Sequence, residues 1–221
     1  MRNQLMKFSN ETIGVLKNFS SINPSIVFKP GSVVRTISPQ KTVMAAATIS
    51  ESIDQKAGVY DLSRLLATLS LFENAEVEFG TDRFTIKGGK SEVNYTYTSE
   101  SLIVSPPDKD IVVPNPEATV NVTWQDIDSV IRATGVLQLP EVAFSSDGST
   151  IKLSAVDSKT STADKYEVVV AEGVETEPFN MIIKTDNLKL VPTDYEVTLS
   201  SKGMAHFKSD VVQYWIAIES R

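Results

Sequence analysis

Few side chains in this chain could do chemistry. His206 is the only histidine in 221 residues, and a Ser-His-Asp triad would have to run through its imidazole. Ala205 and Phe207 flank it in a strand-like stretch, and no Gly-x-Ser-x-Gly turn is present to raise a nucleophile. Two carboxylate pairs, Asp108 with Asp110 and Asp126 with Asp128, have the makings of the acid and base of glycoside hydrolysis. The first pair falls in a proline-rich stretch. The second lies near a helix start, where acids are favoured by the helix dipole. Gly88-Gly89-Lys90 lacks the spacing of a phosphate-binding loop and reads as a hairpin turn. With zero cysteines there are no disulfides or thiolate metal sites, which fits a cytosolic setting. No catalytic residue, metal or cofactor is expected, so the chain reads as a non-enzyme.

The elements around these residues alternate between two periodicities. Ser9-Asn-Glu-Thr12 can cap a helix with Ile13, Leu16 and Phe19 on one face. Asp61 precedes an apolar stripe of Leu62, Leu65, Leu66, Leu69 and Phe72. Thr123 can cap a third helix whose inward side is Ile127, Val130 and Ile131. A short fourth helix is expected from Thr185 to Val191, stopped by Pro192. Between them lie β-branched and aromatic runs: 26–28, 33–37, 43–49, 77–79, 84–87 and 92–97, then 142–144, 151–156, 166–171, 179–183, 196–199, 205–207 and 212–218. Pro30-Gly31, Asp147-Gly148 and Lys202-Gly203 mark turns between them.

This order of elements occurs twice. Ile13 and Leu16 return as Ile127 and Val130, 114 residues on, and Pro24 to Phe28 returns as Pro140 to Phe144, 116 residues on. Val93-Asn94-Tyr95 returns as Val212-Gln213-Tyr214, an offset of 119. The drift in one direction is that of two copies separated by small loop insertions. The reading is α+β, with two similar domains at 1–105 and 118–221. Between them, 106–117 forms a stiff, extended connector, with four prolines in the thirteen residues from Ser105 to Glu117. A net charge of -7 argues against a uniformly basic nucleic-acid binder but leaves room for a local basic face. No apolar run approaches the roughly 20 residues of a membrane span, so no membrane partner is expected. The first six residues lack the apolar core of a signal peptide.

Met6-Lys-Phe-Ser-Asn-Glu-Thr-Ile-Gly-Val-Leu-Lys-Asn-Phe-Ser-Ser-Ile-Asn23 resembles the opening of the T-even phage-type sliding clamps, the processivity factors of phage DNA polymerases. Tyr60-Asp-Leu, the proline-rich connector and the length are similar as well, so the resemblance spans essentially the whole chain, with residues 1–5 as an extension or an upstream start. It implies two DNA-clamp domains per chain, with helices lining the hole of a ring and β-sheets outside. Two helices per domain, spaced about 10 Å apart, give four domains a hole of about 15 Å and six domains one of about 28 Å. Only the larger admits a duplex about 20 Å across. Two domains per chain then imply a homotrimer.

The resemblance also implies duplex DNA, a DNA polymerase and a clamp-loader ATPase as partners, in the cytoplasm of an infected bacterial host. Sequence-independent DNA contact needs cations facing inward. The candidates are Lys17, Arg64, Arg132, Lys184 and Lys189 on or around the helices, with Lys7 and Arg2 just before the first. Asp126 and Asp128 weaken the case at the third helix. Clamp rings close by strand pairing between chains, and the matching segments hold Asn94, Tyr95, Thr96 and Tyr97 in one domain and Glu167, Val168, Val169 and Val170 in the other. Clamp partners dock a peptide tail beside the connector, where Ile111, Val112 and Val113 form an apolar triplet; packing of that triplet onto a sheet is the plain alternative. A β-rich virion structural protein is the rival class, although it would not require striped helices in homologous places.

Overall fold

Each α-helix begins where a side chain can take up an amide that the helix itself leaves unbonded. Ser9 accepts from the Thr12 amide at the head of α1 (Asn10–Ile22), Asp61 from the Arg64 amide at α2 (Leu62–Leu69), and Thr123 from the Asp126 amide at α3 (Trp124–Leu137). In the computed structural model, residues 5–219 are described. The chain divides into a first unit ending at Asp108 and a second beginning at Lys109.

The first unit runs β1 (Leu5–Met6), α1, β2 (Ile26–Phe28), β3 (Gly31–Ile37), β4 (Val43–Ile53), β5 (Ala57–Val59), α2, β6 (Glu76–Phe79), β7 (Arg83–Gly88) and β8 (Ser91–Thr96). One antiparallel sheet has the order β1-β6-β7-β8, and β2 pairs β5 as β3 pairs β4. α1 buries Val15, Leu16, Phe19 and Ile22, and α2 buries its four leucines. Phe79 and Phe84 meet edge to face at 4.8 Å, and Phe28 lies about perpendicular to both at 6.2 and 6.1 Å. Such pairs add roughly 0.5–1.5 kcal/mol beyond area burial. The leucine stripe ends sooner than expected: α2 stops at Leu69, and Phe72 lies beyond it against Gly88, where a Cβ would meet the ring at 2.6 Å.

The second unit runs β9 (Ala118–Val122), α3, β10 (Glu141–Ser146), β11 (Thr150–Val156), β12 (Tyr166–Glu172), β13 (Phe179–Lys184), β14 (Tyr195–Ser200), β15 (Met204–Lys208) and β16 (Val212–Ala217). Its strands form the orders β9-β14-β15-β16 and β12-β11-β10-β13. The first of these reproduces β1-β6-β7-β8 strand for strand, so the duplication read from the sequence is a duplication of topology. β1, β5 and β9 are strands that the sequence reading did not assign.

The expected fourth helix is absent. Thr185–Asn187 makes a single 3-10 turn, after which Leu188 and Leu190 are buried and Lys189 is exposed, the period of an extended segment. Two buried tyrosines explain the choice. The Val191 amide donates to the Tyr214 hydroxyl at 3.1 Å, and the Tyr195 hydroxyl donates to the Val191 carbonyl at 2.6 Å. Both backbone groups are therefore satisfied without a helix. Among the described residues no helix is long and apolar enough to cross a membrane.

Candidate nucleic-acid interface and subunit edges

The residues that could have formed a catalytic centre are all engaged in holding the fold. Asp108 pairs with Lys29, and Asp110 accepts from the Gln213 amide at 2.8 Å. Asp126 completes the cap of α3 by accepting from the Thr123 hydroxyl at 2.7 Å, and Asp128 pairs with Arg132 at 2.9 Å. His206 stacks on Trp215, with ring centroids 4.8 Å apart, and its Nε2 lies 3.0 Å from Gln213 Oε1. Burial pushes its pKa down, favouring the neutral ring. Gly88-Gly89 turns β7 into β8, with Gly89 in the left-handed region at φ 60°.

The proposed DNA-facing cations have several settings. Lys17 is exposed on α1 and makes no ion pair among the described residues. Arg64 is exposed on α2, its guanidinium 5.8 Å from the Tyr95 ring centroid. This is cation–π range, and the contact holds the long side chain over β8. Arg132 is exposed on α3 but shares its charge with Asp128 one turn earlier. Lys7 sits just before α1 and reaches Glu76 at 3.5 Å. Lys184 and Lys189 do not lie on a helix, contrary to expectation: Lys184 ends β13 and pairs with Glu219 at 3.2 Å, and Lys189 sits in the extended segment, where it is also engaged. Arg2 lies outside the described residues.

The residues proposed for ring closure fall on outer strands. β8 carries Asn94, Tyr95 and Thr96, runs on into Tyr97, and among the described residues of its unit pairs only with β7. β12 carries Glu167 to Val170 and among the described residues of its unit pairs only with β11. Val170 is the extra residue of a bulge, because Ile151 faces Ala171 and Lys152 faces Val169. Glu167 is bracketed by Lys152 at 3.0 Å and Lys165 at 2.6 Å. Charges of this kind discourage unspecific pairing at an edge. The Tyr95 hydroxyl donates to the Asp61 carbonyl at 2.9 Å, tying β8 to the start of α2. Tyr214, its counterpart in the repeat, instead accepts from the Val191 amide. Burial pushes the Tyr97 phenol up to about 12, so it is neutral under ordinary conditions.

The proline-rich stretch is divided between the units, 105–108 with the first and 109–117 with the second. In the second unit the Ile111 carbonyl accepts from Trp215 Nε1 at 2.8 Å, and Ser200 donates to the Pro114 carbonyl. Ile111 and Val113 are half-buried, while Val112 is 85% exposed. The pinning residues Trp215 and Gln213 escaped the sequence reading, and His206, weighed there only as a catalyst, packs against both. Their only signal is the hairpin around Ser209-Asp210, whose spacing sets His206 opposite Trp215.

Comparison with known proteins agrees with this arrangement. A family model described as DNA polymerase processivity factor matches residues 9–105, and one described as gp45 sliding clamp, C terminal, matches 119–220. The sliding clamp of Vibrio phage KVP40 is 32% identical over 97% of this chain and 100% of its own length. The sliding clamp of Escherichia phage RB69 is 32% identical over 97% of each chain. PCNA from Thermococcus kodakaraensis superposes with a TM-score of 0.71 over 97% of this chain and 99% of its own, at 12% identity, a likeness of fold alone. Two clamp units of matching topology and relatives similar from end to end leave one assignment: this chain belongs to the sliding clamp family of DNA polymerase processivity factors.

Proposed function

We propose that three copies of the chain close into a ring around duplex DNA and tether a replicative DNA polymerase, which keeps it on its template. The observation that carries this reading is the pair of outer strands, β8 in the first unit and β12 in the second, each with one side unpaired among the described residues of its own unit. A head-to-tail β8–β12 contact would satisfy both edges and close a ring when its rotation is one third of a turn. The helices then face the duplex with Lys17, Arg64 and Arg132, and Lys7, Lys184 and Lys189 add charge from flanking segments. The extended Thr185–Val191 segment takes the fourth helix's position in the repeat, so the lining is part helix and part extended chain. Two of the three helix cations are already engaged, by Tyr95 and Asp128. Weak, sparse attraction suits a protein that must slide. The chain performs no catalysis of its own; a loader ATPase opens the ring, and a polymerase tail docks beside Ile111, Val112 and Val113, in the cytoplasm of an infected bacterial host.

The test is topological. With loader and ATP, the protein is retained on circular duplex and lost from linear duplex of equal length, and light scattering gives the mass of three chains. Equal retention on both DNAs, or a single-chain mass, would remove the ring and favour a structural role. The triple change Lys17→Glu, Arg64→Glu, Arg132→Glu should impair loading and leave the fold intact, because all three side chains are exposed.

A further inference from the structure

The duplication supplies an internal control for one surface. Val34 and Thr36 of β3 face the core as Leu153 and Ala155 of β11 do, so Val33 and Arg35 correspond to Lys152 and Ser154. Phe28 corresponds likewise to Phe144, so Val27 and Lys29 correspond to Ala143 and Ser145. Each unit has a cavity at this place. In the second, of about 360 Å³, these positions hold Ala143, Ser145 and Ser154, and Asp157, Asp164 and Lys165 line the cavity from the loop between β11 and β12. In the first, of about 330 Å³, it offers Val27, Lys29, Val33 and Arg35, with Ser105, Pro106 and Asp108 as the opposite wall.

In the second copy the loop supplies the charge, with Lys165 already paired to Glu167, and the matching sheet positions are small and neutral. The first copy places two cations there instead, in a chain of net charge -7. Lys29 pairs with Asp108, whose side chain is 76% exposed. The Lys29 hydrogen bond and charge hold the Asp108 carboxyl below its usual range, with Arg35 and Lys56 adding to the effect. The residues carrying that carboxyl, Ser105-Pro106-Pro107-Asp108, lack helix or strand and have φ set by two prolines. The cavity thus already holds an extended peptide with an acidic side chain, tethered at its rim and open to solvent.

We propose that this first-unit cavity is a docking site for an acidic, extended segment of a protein partner. An incoming Asp or Glu takes the place of the Asp108 carboxylate beside Lys29 and Arg35, and a neighbouring apolar side chain packs on Val27, Val33 and Pro106. The site shares no residue with Ile111, Val112 and Val113, and it stands independently of ring closure and of DNA. A carboxylate is favoured over a nucleic-acid phosphate because the resident ligand is a carboxylate and part of the lining is apolar.

The experiment is fluorescence anisotropy of the full chain with the labelled peptide Gly-Leu-Asp-Glu-Leu-Gly and its amide counterpart Gly-Leu-Asn-Gln-Leu-Gly. Saturable binding of the acidic peptide alone is expected. Asp108→Asn, which removes the internal competitor, should tighten it about threefold to fivefold, the scale of an exposed ion pair. The double change Lys29→Glu, Asp108→Lys keeps an ion pair at the rim and, with an unchanged circular dichroism spectrum, should lose the acidic peptide. No saturable binding by either wild type or Asp108→Asn would overturn the proposal, and so would equal binding of the amide peptide. Displacement of the peptide by short duplex DNA, with the same dependence on Lys29, would reassign the cavity to phosphate.

Discussion

Replacing Gly58 by Ala should be among the most damaging single-methyl additions in the first unit. Gly58 lies in β5 opposite Val27 of β2. A Cβ there would come closer than 3.0 Å to the Thr98 carbonyl oxygen and 3.4 Å from Ile103 Cδ1. The nearer obstacle is backbone, so no rotamer change relieves it. The Thr98 amide also donates to the Gly58 carbonyl at 2.9 Å, and any shift that removes the clash strains that bond. Overpacking of this kind costs about 1–3 kcal/mol, and a weakened hydrogen bond adds about 0.5–1.5 kcal/mol. The sum, about 1.5–4.5 kcal/mol, lowers Tm by roughly 3–18 °C in a chain of this size. Because Thr98 lies two residues beyond the end of β8, the disturbance reaches one of the two proposed closure strands. Circular dichroism melts at matched protein concentration, backed by urea titration, measure the effect. A Gly58→Ala protein melting within about 1 °C of wild type would show that the Thr98 backbone moves freely and that the steric argument fails.

Gly14→Ala and Gly135→Ala lie at exposed helical positions where a Cβ meets nothing within 4 Å, so each should stabilise by about 0.5–1 kcal/mol in urea titration; a lower midpoint would contradict this. Val169→Pro, on the outer strand β12 at a position 46% exposed, should give a folded single chain in sedimentation, and a persisting trimer would move the closure site elsewhere. Glu51 accepts from the Ser9 amide and the Thr12 hydroxyl at the head of α1. Partial burial pushes its carboxyl up, but these hydrogen bonds outweigh that and hold it below the ordinary value of 4.5. A depressed folded pKa gives stability that is present above the unfolded value and is lost as pH falls through the folded one. The stability gap between wild type and Glu51→Gln should therefore be full at neutral pH and close progressively below about pH 4.5; a gap that stays constant down to about pH 3 would refute the assignment.

What can be read from the sequence alone is what short-range physics decides. The caps at Ser9, Asp61 and Thr123 each precede a helix, since a side-chain oxygen and an amide three residues on meet whatever else folds around them. The repeat survives because alternation and helical period persist after side chains change, and the sheet order β1-β6-β7-β8 recurs as β9-β14-β15-β16. Four things depended on distant partners. Thr185 to Val191 follows a helix-compatible composition yet runs extended, because the hydroxyls of Tyr195 and Tyr214 satisfy Val191. β5 and β9 are short and undistinguished in sequence, and they become strands by pairing with β2 and β14. The cations marked for DNA were legible as residues, but the engagement of Arg64, Lys7 and Lys184 by Tyr95, Glu76 and Glu219 was not. The Lys29–Asp108 pair joins residues 79 apart. Capping and periodicity are set within one turn or one pleat, whereas the partner of a strand edge, a tyrosine hydroxyl or a lysine is chosen only when the chain has closed its long loops.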